Sequence, residues 1–219
     1  MTAKDLINYT IPPLKLTDKV DKARRWFSEF HTHELPVVDQ GKFCGLFSED
    51  MLFDQASEHL IRGFELDDSS IVREFEHYYD VLKVSYAENS NLIAVLDNSE
   101  NYQGVISIQD VVEAFSKMSS ITSPGAILVI SINHIDYSMA ELARIIESEY
   151  GKILSSFVED HPEDTTKMRV TLKLNVENPK SIISALERFG FNITTTFGKN
   201  EDDEAEKERL DSLMRYLKV

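Results

Sequence analysis

A repeat inside the first half of the chain constrains its fold more than any other feature. Leu14-Lys15-Leu16 leads into an amphipathic stretch, then Leu35-Pro36-Val37-Val38-Asp39, then Gly45-Leu46-Phe47-Ser48. The pattern returns 58 residues later as Val72-Arg73-Glu74, a helical stretch, Ile93-Ala94-Val95-Leu96-Asp97 and Gly104-Val105-Ile106-Ser107. One extra residue in the second Asp-to-Gly turn raises the offset to 59 from there on. A repeat of this length implies two similar units that pack on each other. Two-fold internal symmetry, with a cleft along it, is the structural expectation.

Within the first repeat, Thr17-Asp18 reads as a helix start, since a short oxygen side chain caps free backbone N–H groups. Val20, Ala23, Phe27 and Phe30 follow at helical spacing. Leu35 to Val38 reads as a buried strand, Asp39-Gln40-Gly41-Lys42 as a hairpin turn and Phe43 to Phe47 as its return strand. Leu52, Ala56, His59 and Leu60 predict a second helix after Ser48. In the second repeat, Glu76-His77 precedes a helix carrying Tyr78, Val81, Leu82 and Ser85. Leu92 to Leu96 is the buried strand, Asp97 to Asn101 the longer turn, and Val111, Val112, Phe115 and Met118 mark the helix after Ser107. Gly63 to Ser70 is an acidic connector.

Ser119 to Gly125 has the small, polar, turn-forming composition of a linker. Beyond it, Ala126–Ile132 reads as a strand, Met139, Leu142, Ala143 and Ile146 as a helix, and Ile153–Val158 as a strand. Met168 to Val176 alternates apolar and polar residues, the mark of a strand with one wet face. Ile182, Ile183, Leu186 and Phe189 mark a helix, and Phe191–Phe197 a last strand. The order β-α-β-β-α-β is that of a ferredoxin-like fold, which leaves one sheet face without helices. The expected divisions are 1–62 and 63–118 for the repeats, 119–125 for the linker, 126–200 for the ferredoxin-like domain and 201–219 for an acidic C-terminal helix. That last helix is either solvated or docked on another subunit.

Composition excludes several function classes. The net charge of −15 disfavours nucleic acid, which demands a concentrated basic face, and an anionic membrane surface for the same reason. No apolar run approaches the roughly 20 residues of a membrane span. Met1-Thr2-Ala3-Lys4-Asp5 lacks the plan of a signal peptide, and a single cysteine, Cys44, fits a reducing cytoplasm. Catalysis finds little footing. The six histidines are scattered, with only His31 and His33 close together, and no Gly-rich phosphate loop or nucleophile elbow is present. No metal ligand set and no required cofactor are expected.

The chemistry gathers at the ends of the return strands. A helix N-terminus presents free N–H groups and a positive dipole end, which suits phosphate. A hydroxyl there adds a donor, and a carboxylate three residues on can accept from both ribose hydroxyls. Gly104-Val105-Ile106-Ser107-Ile108-Gln109-Asp110 supplies the set, although plain capping of the helix by Ser107 and Asp110 uses the same residues.

Both repeats resemble cystathionine-beta-synthase (CBS) domains, in the Leu35-Pro36-Val37-Val38-Asp39 strand, the Gly-apolar-apolar-Ser strand end and the helix that follows. The resemblance covers about residues 11 to 118. It implies adenosine nucleotide binding in clefts between the repeats, with the hydroxyl on phosphate and the Asp on ribose. Ser107 and Asp110 match both positions, and Ile93, Ala94 and Val95 would face the base. In the first repeat Ser48 and Pro36 match, but Met51 takes the ribose position and Asp50 falls one residue short. Ala94 replaces the proline that Pro36 supplies in the other copy.

The second half is similar to an ACT domain, where a glycine follows the first strand's turn in amino-acid-binding members. Here that turn reads Asp136-Tyr137-Ser138-Met139, and Met139 is expected to fill the ligand's space, which favours a dimerisation role. The whole plan resembles small bacterial regulatory proteins of the acetoin-utilisation-like type. The resemblance implies an α+β, non-enzymatic cytoplasmic regulator that senses AMP, ADP or ATP and forms a homodimer or larger homo-oligomer, with an unidentified regulated protein as a further partner. A ligand-free adaptor, or the regulatory subunit of an enzyme, is the alternative.

Overall fold

Each repeat is organised around a strand whose centre carries no polar side chain. The computed structural model describes residues 1–118 and 120–198. Within these, five α-helices and nine strands form two units that divide between Phe115 and Ser116. In the first repeat, α1 (Val20–Phe30) precedes the antiparallel hairpin of β1 (Glu34–Asp39) and β2 (Lys42–Ser48). In the second, β3 (Ile71–Arg73) and α2 (Tyr78–Glu88) precede the hairpin of β4 (Leu92–Leu96) and β5 (Tyr102–Ser107). Then comes α3 (Ile108–Met118). β3 lies parallel to β4. Its counterpart in the first repeat shrinks to a single parallel bridge, Leu14 to Val37. Both hairpins slip register at the same place, Val37/Val38 and Val95/Leu96, which confirms the repeat at the level of backbone geometry.

The repeats exchange their lead-in segments. Asn8, ahead of the first repeat, bridges Val105 on β5 of the second; Asp67, ahead of the second repeat, bridges Leu46 on β2 of the first. The two glycines of the repeated strand end serve these crossings. Gly45 has φ +135° and Gly104 φ +153°, a region that favours glycine. A Cβ on Gly45 would sit 2.5 Å from Leu66 Cβ, and one on Gly104 would collide with Ile7 Cγ2. The hairpin tips also meet: Tyr102 N–H donates to Gly41 C=O at 2.9 Å, and Phe43 stacks on Tyr102 with centroids 6.3 Å apart. Each repeat keeps its own apolar cluster, built on Phe27, Leu35, Val37 and Phe47 in one and on Val81, Ile93, Val95 and Ile106 in the other. Fully burying each such side chain contributes about 1.5–3 kcal/mol.

The helix expected from Leu52 to Leu60 does not form. Glu49–Leu52 makes one 3-10 turn, Asp54 adopts φ +57°, and the chain runs on irregularly to a second short turn at Ile61–Gly63. The reason lies in α1. Its N-cap is Lys19, not the Thr17-Asp18 pair, and no side chain caps it. The carbonyls of His59 and Ser57 instead accept the N–H groups of Val20 (2.9 Å) and Asp21 (3.1 Å). Carbonyls used for capping another helix point away from a helix of their own. Asp18 closes the preceding turn, accepting Lys15 N–H at 2.8 Å.

In the second unit, β6 (Ile127–Asn133), α4 (Met139–Ser148), β7 (Ile153–Asp160), β8 (Lys167–Leu174), α5 (Lys180–Arg188) and β9 (Asn192–Phe197) follow the expected order. The sheet runs β7-β8-β6-β9 with every neighbour antiparallel, the split arrangement of a ferredoxin-like fold. Leu128, Ile130, Val170 and Leu172 meet Leu142, Ile146, Ile182 and Leu186, so both helices cover one face. The alternate residues Ile127, Thr171 and Lys173 face the other way, beside Phe157 and Phe197 at 40% and 57% exposure. Among the described residues, no helix is long and apolar enough to cross a membrane. The expected C-terminal helix at 201–219 lies outside the described residues.

Candidate functional site

At the end of β5 the chain passes directly into α3, and Ser107 and Asp110 close on each other. Ser107 N–H donates to Asp110 Oδ2 at 3.0 Å, and the Ser107 hydroxyl donates to the same oxygen at 2.5 Å. Asp110 N–H returns a bond to Ser107 Oγ at 3.2 Å. This is a reciprocal capping box, and it satisfies two of the helix's orphan donors. The pair therefore holds a carboxylate, a hydroxyl and a dipole end at one point, in half-buried surroundings.

A third residue completes the cluster, and sequence reasoning missed it. Asn8 Nδ2 donates to both carboxylate oxygens of Asp110, at 3.2 Å each. Asn8 is aimed by an Asx turn: its Oδ1 accepts Thr10 N–H at 2.9 Å and the Thr10 hydroxyl at 2.6 Å. The same turn recurs at the first repeat's crossing, where Asp67 Oδ1 accepts Ser69 N–H at 2.9 Å and the Ser69 hydroxyl at 2.6 Å. Aligning Asn8-Tyr9-Thr10 with Asp67-Asp68-Ser69 would have extended the repeat and exposed both. Although burial raises it, hydrogen bonds from Ser69 and Ser70 hold the Asp67 carboxyl below its usual value.

The first repeat's strand end is built differently. Ser48 caps the 3-10 turn by position only, with no side-chain bond. Met51 offers no acceptor for a reciprocal box and packs instead against the apolar cluster of its repeat. Beside it, His33 Nδ1 lies 2.6 Å from Glu49 Oε2. No three His, Cys, Asp or Glu side chains among the described residues are placed to hold a metal ion.

The positions expected to face a base are closed in this structure. Ile93, Ala94 and Val95 are fully buried. β4 lies between β3 and β5 with both edges paired, so its backbone groups are already engaged. Ala94 N–H, for example, donates to Ser70 C=O at 2.9 Å. Pro36 is likewise buried, its carbonyl accepting Leu14 N–H at 2.7 Å. Tyr9, at 76% exposure and next to Gly104, is open beside the cluster.

The chain is similar to solved CBS domain pairs. A CBS domain pair/ACT domain protein from Thermotoga maritima matches at 20% identity over 53% of this chain and 98% of its own, with a TM-score of 0.49. CBSX2, solved in complex with AMP, matches at 18% identity over 53% and 96%, TM-score 0.47. A protein from Methanocaldococcus jannaschii matches at 18% identity over 55% of this chain and 62% of its own, TM-score 0.50. Such likenesses cover about half the chain, and no family model matches it.

The second unit carries a cavity of about 720 Å³ between the β6–α4 turn and the α5–β9 turn, lined by Asn133, Asp136, Tyr137, Ser138, Glu141, Lys167 and Asn192 among others. Met139, expected to take the space of an amino-acid ligand's backbone, does not line this cavity. Its side chain packs on the unit's core instead, because it opens α4 on the sheet-facing side, and the rim is left to Ser138. The volume lies within the range of small-molecule sites.

Proposed function

We propose that this chain is a non-enzymatic cytoplasmic regulator whose first unit is a CBS pair that binds an adenosine nucleotide at Ser107 and Asp110. The observation that carries the reading is the Ser107–Asp110–Asn8 cluster at the start of an 11-residue helix. Phosphate is drawn by the N–H groups and dipole of α3 together with the Ser107 hydroxyl. Asp110 holds the ribose hydroxyls through charge-assisted bonds. With β4 closed on both edges, the base falls to the exposed ring of Tyr9, whose flat face suits stacking. The first repeat lacks a carboxylate at Met51 and places Glu49 and Asp50 in its first turn, which repels phosphate, so one nucleotide binds per chain.

The second unit, ACT-like in this reading, pairs two chains through its open sheet face. Phe197, at 57% exposure, supports this, as does a pocket of about 100 Å³ lined by Ile121, Ile127 and Thr171 on that face. The competing reading is an adaptor with no ligand, favoured by the fact that Ser107 and Asp110 already satisfy each other.

Thermal-shift measurements against AMP, ADP, ATP and S-adenosylmethionine separate the two. A ligand that binds only the folded state raises the melting temperature by mass action. An adenine nucleotide is expected to do so in proportion to its concentration. No shift with any of the four at millimolar concentration leaves the adaptor.

A further inference from the structure

Resting on the pairing of second units proposed above, we infer that the outer face of α2 is a further two-fold contact between the same two chains, because Tyr79, Leu82, Lys83 and Tyr86 form an exposed aromatic stripe that is self-complementary. The two repeats give equivalent helices different outer faces. α1 and α2 are each 11 residues long and stand 58 positions apart, so Asp21, Arg24, Arg25 and Ser28 correspond to Tyr79, Leu82, Lys83 and Tyr86. All eight positions are exposed. In α1 every one is polar. In α2 three carry large apolar or aromatic groups, with Tyr79 59%, Leu82 37% and Tyr86 91% exposed. Val20 and Ala23 in one helix, and Tyr78 and Val81 in the other, are buried inside their own repeats. Packing within the unit therefore accounts for the inner faces and leaves the outer face of α2 without a cause.

Tyr79, Leu82 and Tyr86 fall at i, i+3 and i+7, the spacing of a seam between two helices. The stripe is symmetric about the midpoint of Leu82 and Lys83. A second α2 laid antiparallel on a two-fold axis there sets Tyr79 against Tyr86 of the partner subunit and Leu82 against the partner subunit's Lys83. An isologous contact demands this, residue i meeting j while j meets i. The tyrosine rings pair, the Lys83 stem covers Leu82, and its ammonium reaches Asp80 of the partner subunit. The Tyr79 ring already rests on His77 and Tyr78, with centroids 4.7 and 4.6 Å away, so little freedom is lost in ordering it. The same packing of α1 would set Arg24 against the partner subunit's Arg25, like charge on like. The exposed parts of the two rings and Leu82 come to roughly 400 Å² per copy, about 800 Å² for the pair, which is the size of a weak contact. It closes in chains already paired, where the second contact forms at high effective concentration.

Sedimentation equilibrium of the full chain tests this with the residues of α1 grafted onto α2. Those side chains already occupy equivalent exposed positions, so Tyr79→Asp, Leu82→Arg and Tyr86→Ser together should keep the fold and weaken dimerisation about tenfold or more. A cross-link reads the geometry separately, and it decides the matter if the triple variant does not fold. With Cys44→Ser as background, Leu82→Cys lies beside the axis and should give a disulfide-linked dimer under mild oxidation, whereas Arg24→Cys, its counterpart in α1, should not. A parent dimer whose dissociation constant the triple variant leaves unchanged overturns the inference alone. So does Leu82→Cys that cross-links no faster than Arg24→Cys. A parent chain that stays monomeric at micromolar concentration overturns the pairing of second units and this inference with it.

Discussion

Tyr102 shows how much one atom can matter here. Its hydroxyl is buried with no hydrogen-bond partner among the described residues, and burial raises its pKa above the ordinary tyrosine value. The ring stacks on Phe43, the residue that the repeat places opposite it. The first repeat thus already uses the side chain without the hydroxyl. A buried unsatisfied donor costs about 1–3 kcal/mol. Tyr102→Phe is therefore expected to stabilise the protein by about 1 kcal/mol, read as a higher urea midpoint at unchanged slope. A lower midpoint would mean that the hydroxyl finds a partner after all. Not every residue of this kind is legible in sequence. The pairing of Ser107 with Asp110 was, since a capping box has a fixed local spacing. Asn8 was not, because its partner lies 102 positions away and its repeat counterpart is written as Asp67.

Among the elements, the segments read correctly are those whose sequence signal is local, a continuous apolar run or a cap at a helix start. β4 is buried at every position, and α2 starts where Glu76-His77 signalled, with Asp80 accepting His77 N–H at 3.0 Å. The misread element, Leu52 to Leu60, has a helical apolar spacing, but its carbonyls cap α1, a tertiary demand that no local pattern records. A second hidden link joins the repeats. Glu34, at the start of β1, accepts the N–H groups of Asn91 and Leu92 at 2.9 Å each, along with the Ser90 hydroxyl. Removing it leaves the N–H of Leu92, a residue only 2% exposed, with just its longer bond to Ser90 Oγ at 3.3 Å. Glu34→Ala should lower stability by about 2 kcal/mol, the scale of a hydrogen bond to a charged group. Chemical denaturation checks this, and a loss below about 0.5 kcal/mol, the scale of an ordinary surface substitution, would deny the link its structural role.

At the scale of the whole molecule, the repeat predicted two-fold packing, but not the reciprocal crossing that makes the first unit a single body. That crossing depends on Asn8 and Asp67, equivalent positions of the two copies, each pairing with the other repeat's return strand; the alignment marks the two positions but not the strands they cross to. The alternation along Met168 to Val176 did predict a sheet with one face that carries no helix among the described residues of the second unit, and that face is where a second copy is expected. Light scattering should return twice the 25.1 kDa chain mass at micromolar concentration, and the single-chain mass would remove the pairing role. The central claim, that Asp110 holds the ribose of an adenosine nucleotide, is tested most directly by titrating AMP into the parent and into Asp110→Ala in the calorimeter. The account predicts one site per chain in the parent and affinity weakened about tenfold or more in the variant, with the fold kept. Equal affinity in the two proteins would contradict it.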